Sequence, residues 1–202
     1  MENQLITIWQ PIAEGTERIE DWWQRNGNLI QSITHVDTEE EVLILSASYY
    51  RYGMFLYNDG YAKQSLEYID KALDILDKNK GKLYEKEYKD SLETISESKC
   101  SVLYKLERYW EAYGIMKQLH AMKPQKDDYR IGMKNLLSAS ISKFANPTYI
   151  ILACIWGIML LEQYVLKTNY IPSSVWTITW ACWIVLLIIQ FVVPPVISKI
   201  QK

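Results

Sequence analysis

The side chains that could do chemistry are few, and they are badly spaced for it. The chain has two histidines, His35 and His120, and three cysteines, Cys100, Cys154 and Cys182. A zinc site needs cysteine, histidine or carboxylate ligands grouped at short spacing, and neither histidine belongs to such a group. Arg25 and His35 are too far apart to pair on one helical turn, and so are Arg108 and His120. No GxGxxG or GxxxxGK[ST] loop is present to cradle a phosphate, and no serine elbow occurs. The carboxylate pairs Glu85/Glu87 and Asp127/Asp128 stand in polar, lysine-rich stretches and read as solvated. The expectation is a chain that is not an enzyme, with no catalytic, cofactor-binding or metal-binding residues.

The aromatic residues carry more information. The chain holds 15 Tyr and 8 Trp, and Tyr49, Tyr50, Tyr52, Phe55 and Tyr57 crowd one stretch. Rings on that many sides of a helix cannot all face one core. Packing against two neighbouring helices is the favoured reading of these rings; Tyr49, Tyr50, Tyr57 and Trp110 are the candidate partner-binding residues under the alternative, a peptide groove that the repeat resemblance described below implies. Trp9, Trp22 and Trp23 are read as core, with contact to a surface or partner as the alternative.

Two apolar runs, 148–166 and 174–193, are separated by a short polar link, 167–172. A bilayer core of about 30 Å needs roughly 20 apolar residues as helix, so both runs are expected to span a membrane. Ala153/Gly157 and Thr177/Ala181 are small-residue pairs that let membrane helices approach closely. Glu162, Gln163 and Gln190 are polar groups inside the runs, costly in lipid unless paired or near the interface. The first residues lack the basic start and long apolar core of a signal peptide. Lys134, Lys143, Lys199 and Lys202 flank the runs on one side, and Lys167 alone marks the other. The expected localisation is an integral protein of a bacterial inner membrane, with both termini in the cytoplasm.

The remainder, 1–145, reads as helical throughout. Residues 4–33 have helical spacing of apolar positions, with Pro11 capping or kinking an early turn. Thr38 and Glu41 form a capping-box pattern for a helix running to about Asp59, and Gly60 stops it. Further helices are expected over 61–79, 83–106, 108–122 and 127–143, the last leading to Asn146-Pro147. No segment alternates with period two for long enough to make a strand. The formal net charge of −2 gives no case for nucleic-acid binding. Residues 1–45 are acidic, carrying only Arg18 and Arg25 as cations, and 78–89 are lysine-rich; both read as solvated surface.

Residues 49–72 resemble a tetratricopeptide repeat. Gly53 stands at the small position of its first helix, Gly60 at the turn, Ser65 where the repeat has alanine, and Ile69 and Ala72 at later packing positions. Residues 100–124 resemble it again, through Cys100, Leu103, Tyr109, Ala112 and Pro124. Gly53 and Cys100 are 47 residues apart, whereas such repeats recur at about 34. Asp77 also stands where the first repeat would have proline. The resemblance implies helical hairpins that bind proteins or peptides.

The expected fold class is thus all-α: a cytosolic bundle of tetratricopeptide-like hairpins over 1–145, followed by a transmembrane hairpin over 146–202. The favoured function is a membrane-anchored adaptor for a protein or peptide partner on the cytosolic side. The alternative is an oligomeric, membrane-perturbing effector. That two-span layout resembles effectors and accessory proteins of bacterial antiviral systems, and it also suits a membrane immunity protein. The expected partners are the bilayer, a protein or peptide, and further copies of the chain.

Overall fold

The computed structural model describes residues 2–160 and 173–188. Those residues are helical with short links and contain no strand. The chain divides into two compact units, Met1–Gln125 and Lys126–Lys202.

The first unit is a row of three helical hairpins. α1 (Glu2–Ala13) and α2 (Ile19–Ser32) form the first, with Pro11 accommodated in the last turn of α1. α3 (Glu39–Asn58) and α4 (Ala62–Lys78) form the second. A single 3-10 turn, Lys80–Lys82, leads to the third, α5 (Glu85–Lys105) and α6 (Tyr109–Met122). α3 lies at the centre, touching α1, α2, α4 and α5.

Local chemistry sets the helix ends. The Thr38 hydroxyl accepts from the Glu41 amide at 3.3 Å, and the Glu41 carboxylate accepts from the Thr38 amide at 3.2 Å. This reciprocal cap satisfies donors that the first helical turn leaves without partners. α3 ends on Gly60, whose φ of 93° suits a residue without a Cβ.

The two later hairpins repeat each other at an interval of 47 residues. In the first turn, Asp59 donates to Phe55, Gly60 to Tyr57 and Tyr61 to Leu56. In the second, Leu106 donates to Val102, Glu107 to Tyr104 and Arg108 to Leu103. Each donor and acceptor is displaced by the same interval. The excess over a shorter repeat lies mainly in the first helices, 20 residues in α3 and 21 in α5.

Packing within each hairpin follows the small positions. A Cβ on Gly53 would lie 3.0 Å from Ile69 Cγ1 and 3.2 Å from the Ser65 carbonyl oxygen, so α3 and α4 meet almost backbone to backbone. Ser65, Ile69 and Ala72 are fully buried there. In the next hairpin Cys100 Sγ lies 3.5 Å from the Ala112 carbonyl oxygen, with Leu103 and Ala112 buried beside it.

The first hairpin joins the second through rings. Trp22 Nε1 donates to the Ile8 carbonyl at 2.5 Å, and its ring meets Trp9 edge-on at 5.3 Å. Trp23 stacks on Tyr52 at 4.4 Å and meets Tyr49 and Tyr68 edge-on at 5.5 and 5.4 Å. Offset and edge-on contacts of this kind add to the burial of apolar area. The three N-terminal tryptophans are therefore core residues.

In the second unit, α7 (Asp127–Leu160) runs unbroken for 34 residues, where the sequence suggested a break at Asn146-Pro147. α8 is Ser173–Leu187. The two meet through buried Met159 and Thr179, with Trp156 edge-on to Trp180 at 5.8 Å. Thr179 Oγ1 donates to the Val175 carbonyl at 2.8 Å. Ala153, Gly157, Thr177 and Ala181 are exposed rather than central to this contact, and nothing lies within 4 Å of a Cβ built on Gly157.

The expected integral location in a bacterial inner membrane, with both termini cytoplasmic, is corrected here. Among the described residues, no helix is long and apolar enough to cross a membrane. α7 is long, but it carries Asp127, Asp128, Arg130, Lys134 and Lys143 along its first half. Glu162, Gln163, Gln190 and the link 167–172 lie outside the described residues, as do the ends of both proposed spans.

Candidate partner-binding cleft

α3 and α5 run side by side in the same direction, tied at three levels. At the start, the Tyr84 amide donates to Glu39 Oε1 at 2.9 Å, and the Lys82 ammonium caps the Val36 carbonyl. Midway, the Tyr50 and Ser98 hydroxyls are 3.0 Å apart. Near the end, Lys105 Nζ lies 4.8 Å from the Tyr57 ring centroid and 3.4 Å from the Tyr57 carbonyl oxygen.

Between the first two ties the helices leave an open cleft of about 260 Å³. α3 contributes Leu43, Ser46, Ala47 and Tyr50. α5 contributes Asp90, Ser91, Thr94 and Ile95. Leu43, Ala47 and Tyr50 lie about one turn apart on α3, as do Asp90 and Thr94, and Ser91 and Ile95, on α5, so they form one stripe per wall. Leu43 and Asp90 stand at equivalent places in the 47-residue repeat, and so do Ala47 and Thr94. Two of the four lining positions on each wall are thus repeat-equivalent.

The wall hydroxyls are held in place. Ser46 Oγ donates to the Ala72 carbonyl at 3.0 Å. Thr94 Oγ1 donates to the Asp90 carbonyl at 3.0 Å, and Ser98 Oγ to the Thr94 carbonyl at 3.1 Å. With the Ser98 proton committed, the Tyr50 hydroxyl is the donor in their contact. The helix backbones use their hydrogen bonds internally. The cleft can therefore read a visitor only through side chains, not by adding a strand.

Of the four aromatic candidates, Tyr50 alone lines this cleft. Tyr49 is buried among Trp23 and Tyr68, with Lys71 Nζ 5.7 Å from its ring centroid. Burial, and then the neighbouring Tyr68 hydroxyl, push its phenol above the ordinary value. Tyr57 is half-buried beneath Lys105. Trp110 is 57% exposed on α6 and leans edge-on against Tyr113 at 6.1 Å. Leu43, Ala47, Thr94 and Ile95 were not singled out from the sequence. The repeat interval applied to α3 and α5 relates Ala47 to Thr94 and Leu43 to Asp90, and no such signal marks Ile95.

Reactive groups lie elsewhere in the unit. Burial pushes the Cys100 thiol up to about 12, helped by Glu97 and opposed by Lys99. His35 Nε2 is exposed 2.8 Å from Asp37 Oδ1. His120 Nδ1 is buried with no hydrogen-bond partner among the described residues. Among the described residues, no group of three histidines, cysteines or carboxylates is placed to hold a metal.

Comparison with known proteins finds no matching family model, no matching curated protein and no matching solved structure. Helical-hairpin packing with a regular interval is what the chain itself displays.

Proposed function

We propose that this chain is a non-catalytic adaptor that holds a protein or peptide partner between the first helices of its two later hairpins. The observation that carries this reading is the cleft itself. It is open, two positions on each wall are repeat-equivalent, and the Ser46, Tyr50 and Thr94 hydroxyls are fixed by hydrogen bonds. Pre-organised walls lower the entropy lost when a partner is ordered against them. The tetratricopeptide-like positions Gly53, Ser65, Cys100 and Ala112 support the same reading, because hairpins of that kind serve as binding scaffolds. Fold alone does not name a partner.

The test is photo-cross-linking in the full chain. A benzophenone side chain is placed at Thr94 in the cleft, with Tyr61, exposed at the start of α4, as the control position. The expected result is a cross-linked partner from Thr94 that is lost on adding Ala47→Arg, with helicity retained by circular dichroism. Equal cross-linking from Tyr61, or indifference to Ala47→Arg, overturns the reading.

A further inference from the structure

The chemistry of the cleft narrows what it takes. Its floor is apolar: Leu43 and Ala47 are half-buried, and Ile95 is buried. Its walls offer hydroxyls. Its lining contains one charged side chain, Asp90, and no basic one.

Asp90 is loosely held. Its ion-pair partner is Lys123, at 3.8 Å, and the same ammonium sits much closer to Glu93. The Asp90 side chain is 58% exposed. An incoming cation could take the place of this long contact without breaking the Lys123–Glu93 pair. The nearby Lys89 ammonium is engaged with Glu85 at 2.6 Å and so is not drawn onto Asp90. Lys86, one turn before Asp90, does not line the cleft.

Size limits what the cleft can take up. A cleft of about 260 Å³ is smaller than the roughly 300–1,000 Å³ of ordinary ligand pockets, so it seats a few side chains of a short segment. An acidic segment would bring its carboxylates against Asp90 with no cation in the lining to offset them.

We propose that the cleft recognises a short peptide motif in which an aliphatic side chain stands close to lysine or arginine. The aliphatic group would rest on Leu43, Ala47 and Ile95, and the cation would meet Asp90. This rests on the adaptor reading and specifies its ligand.

The experiment is selection of a display library of random short peptides on the full chain, followed by binding measurements with the selected synthetic peptide. The expected enrichment is an aliphatic residue beside lysine or arginine. Replacing the peptide's cation by glutamate should weaken binding about tenfold or more, as should Asp90→Lys. Combining the two should restore most of it, which a merely structural role for Asp90 would not produce. Enrichment of acidic or uncharged motifs that Ala47→Arg displaces overturns the charge inference and leaves the adaptor reading standing. Failure to select any peptide that Ala47→Arg displaces overturns both.

Discussion

The Tyr50 hydroxyl donates to Ser98 Oγ at 3.0 Å, joining α3 to α5 across 48 residues of chain. It is the polar tie that closes one end of the cleft. Tyr50→Phe keeps the ring and removes the bond. The expected loss of stability is about 0.5–1.5 kcal/mol, the net worth of an ordinary intramolecular hydrogen bond. Urea unfolding followed by circular dichroism would read it, and a change above about 3 kcal/mol would mean that the tie organises more than this contact.

Gly53→Val tests the close approach of α3 and α4. A Cβ there would stand 3.0 Å from Ile69 and 3.2 Å from the Ser65 carbonyl oxygen. Valine adds two further methyl groups and a less favourable helix former. Overpacking of this kind costs about 1–3 kcal/mol, and the midpoint in urea should fall accordingly. An unchanged midpoint would show that the helices separate freely.

Ser65→Ala should act in the opposite direction. Ser65 Oγ is buried with no hydrogen-bond partner among the described residues, and the residue is fully inaccessible. An unsatisfied buried polar atom costs about 1–3 kcal/mol. Removing it should raise stability by up to that amount, seen as a higher melting temperature. A lower melting temperature would point to a partner for this hydroxyl.

Trp23→Ala should release the first hairpin. The indole is 6% exposed and meets Tyr49, Tyr52 and Tyr68. Truncating a buried tryptophan costs about 3–5 kcal/mol. Hydrogen exchange should speed up first in α1 and α2, with α5 and α6 changing least. Uniform loss across the unit would show that the three hairpins unfold together.

Thiol labelling separates the three cysteines. Cys154 and Cys182 are exposed, whereas Cys100 is buried with its thiol pushed up to about 12. Since the thiolate is the reactive form, maleimide at mildly alkaline pH should label Cys154 and Cys182 and spare Cys100 until denaturant is added. The linkage has a definite sign. A folded-state value above the ordinary one favours the neutral thiol, so its contribution is complete below about pH 9 and is lost as pH rises toward about 12. Cys100→Ser should alter the alkaline limb of the stability profile and leave the acid limb alone.

Much of the first unit is legible in the sequence because short-range rules govern it. The Thr38–Glu41 cap, the Gly60 stop and the small residues Gly53, Cys100 and Ala112 each act within one turn or one hairpin. The cleft is harder to read, because it depends on how two helices 47 residues apart are aligned. Tyr49 and Tyr50 are adjacent in sequence, yet one fills the core and the other lines the cleft. A rotation of about 100° per residue around α3 separates their roles. The second unit misleads for another reason. Apolar composition over 148–166 and 174–193 suggests two spans, whereas helix continuity from Asp127 to Leu160 shows how little composition says about where a helix begins. The exposed positions of Ala153 and Gly157 follow from the side of α7 that meets α8, which no local pattern announces.

The matching turns at Gly60 and Glu107 make this chain an interchangeable tandem. Both close on a residue with positive φ, 93° and 57°, and both hand over to the next helix through the same pattern of amides. The second junction carries the heavier burden, because glutamate is strained where glycine is at ease. The chain thus contains its own splice sites. Duplicating 61–107 would insert one more module with compatible ends, and the row of hairpins would lengthen by copy number instead of by redesign.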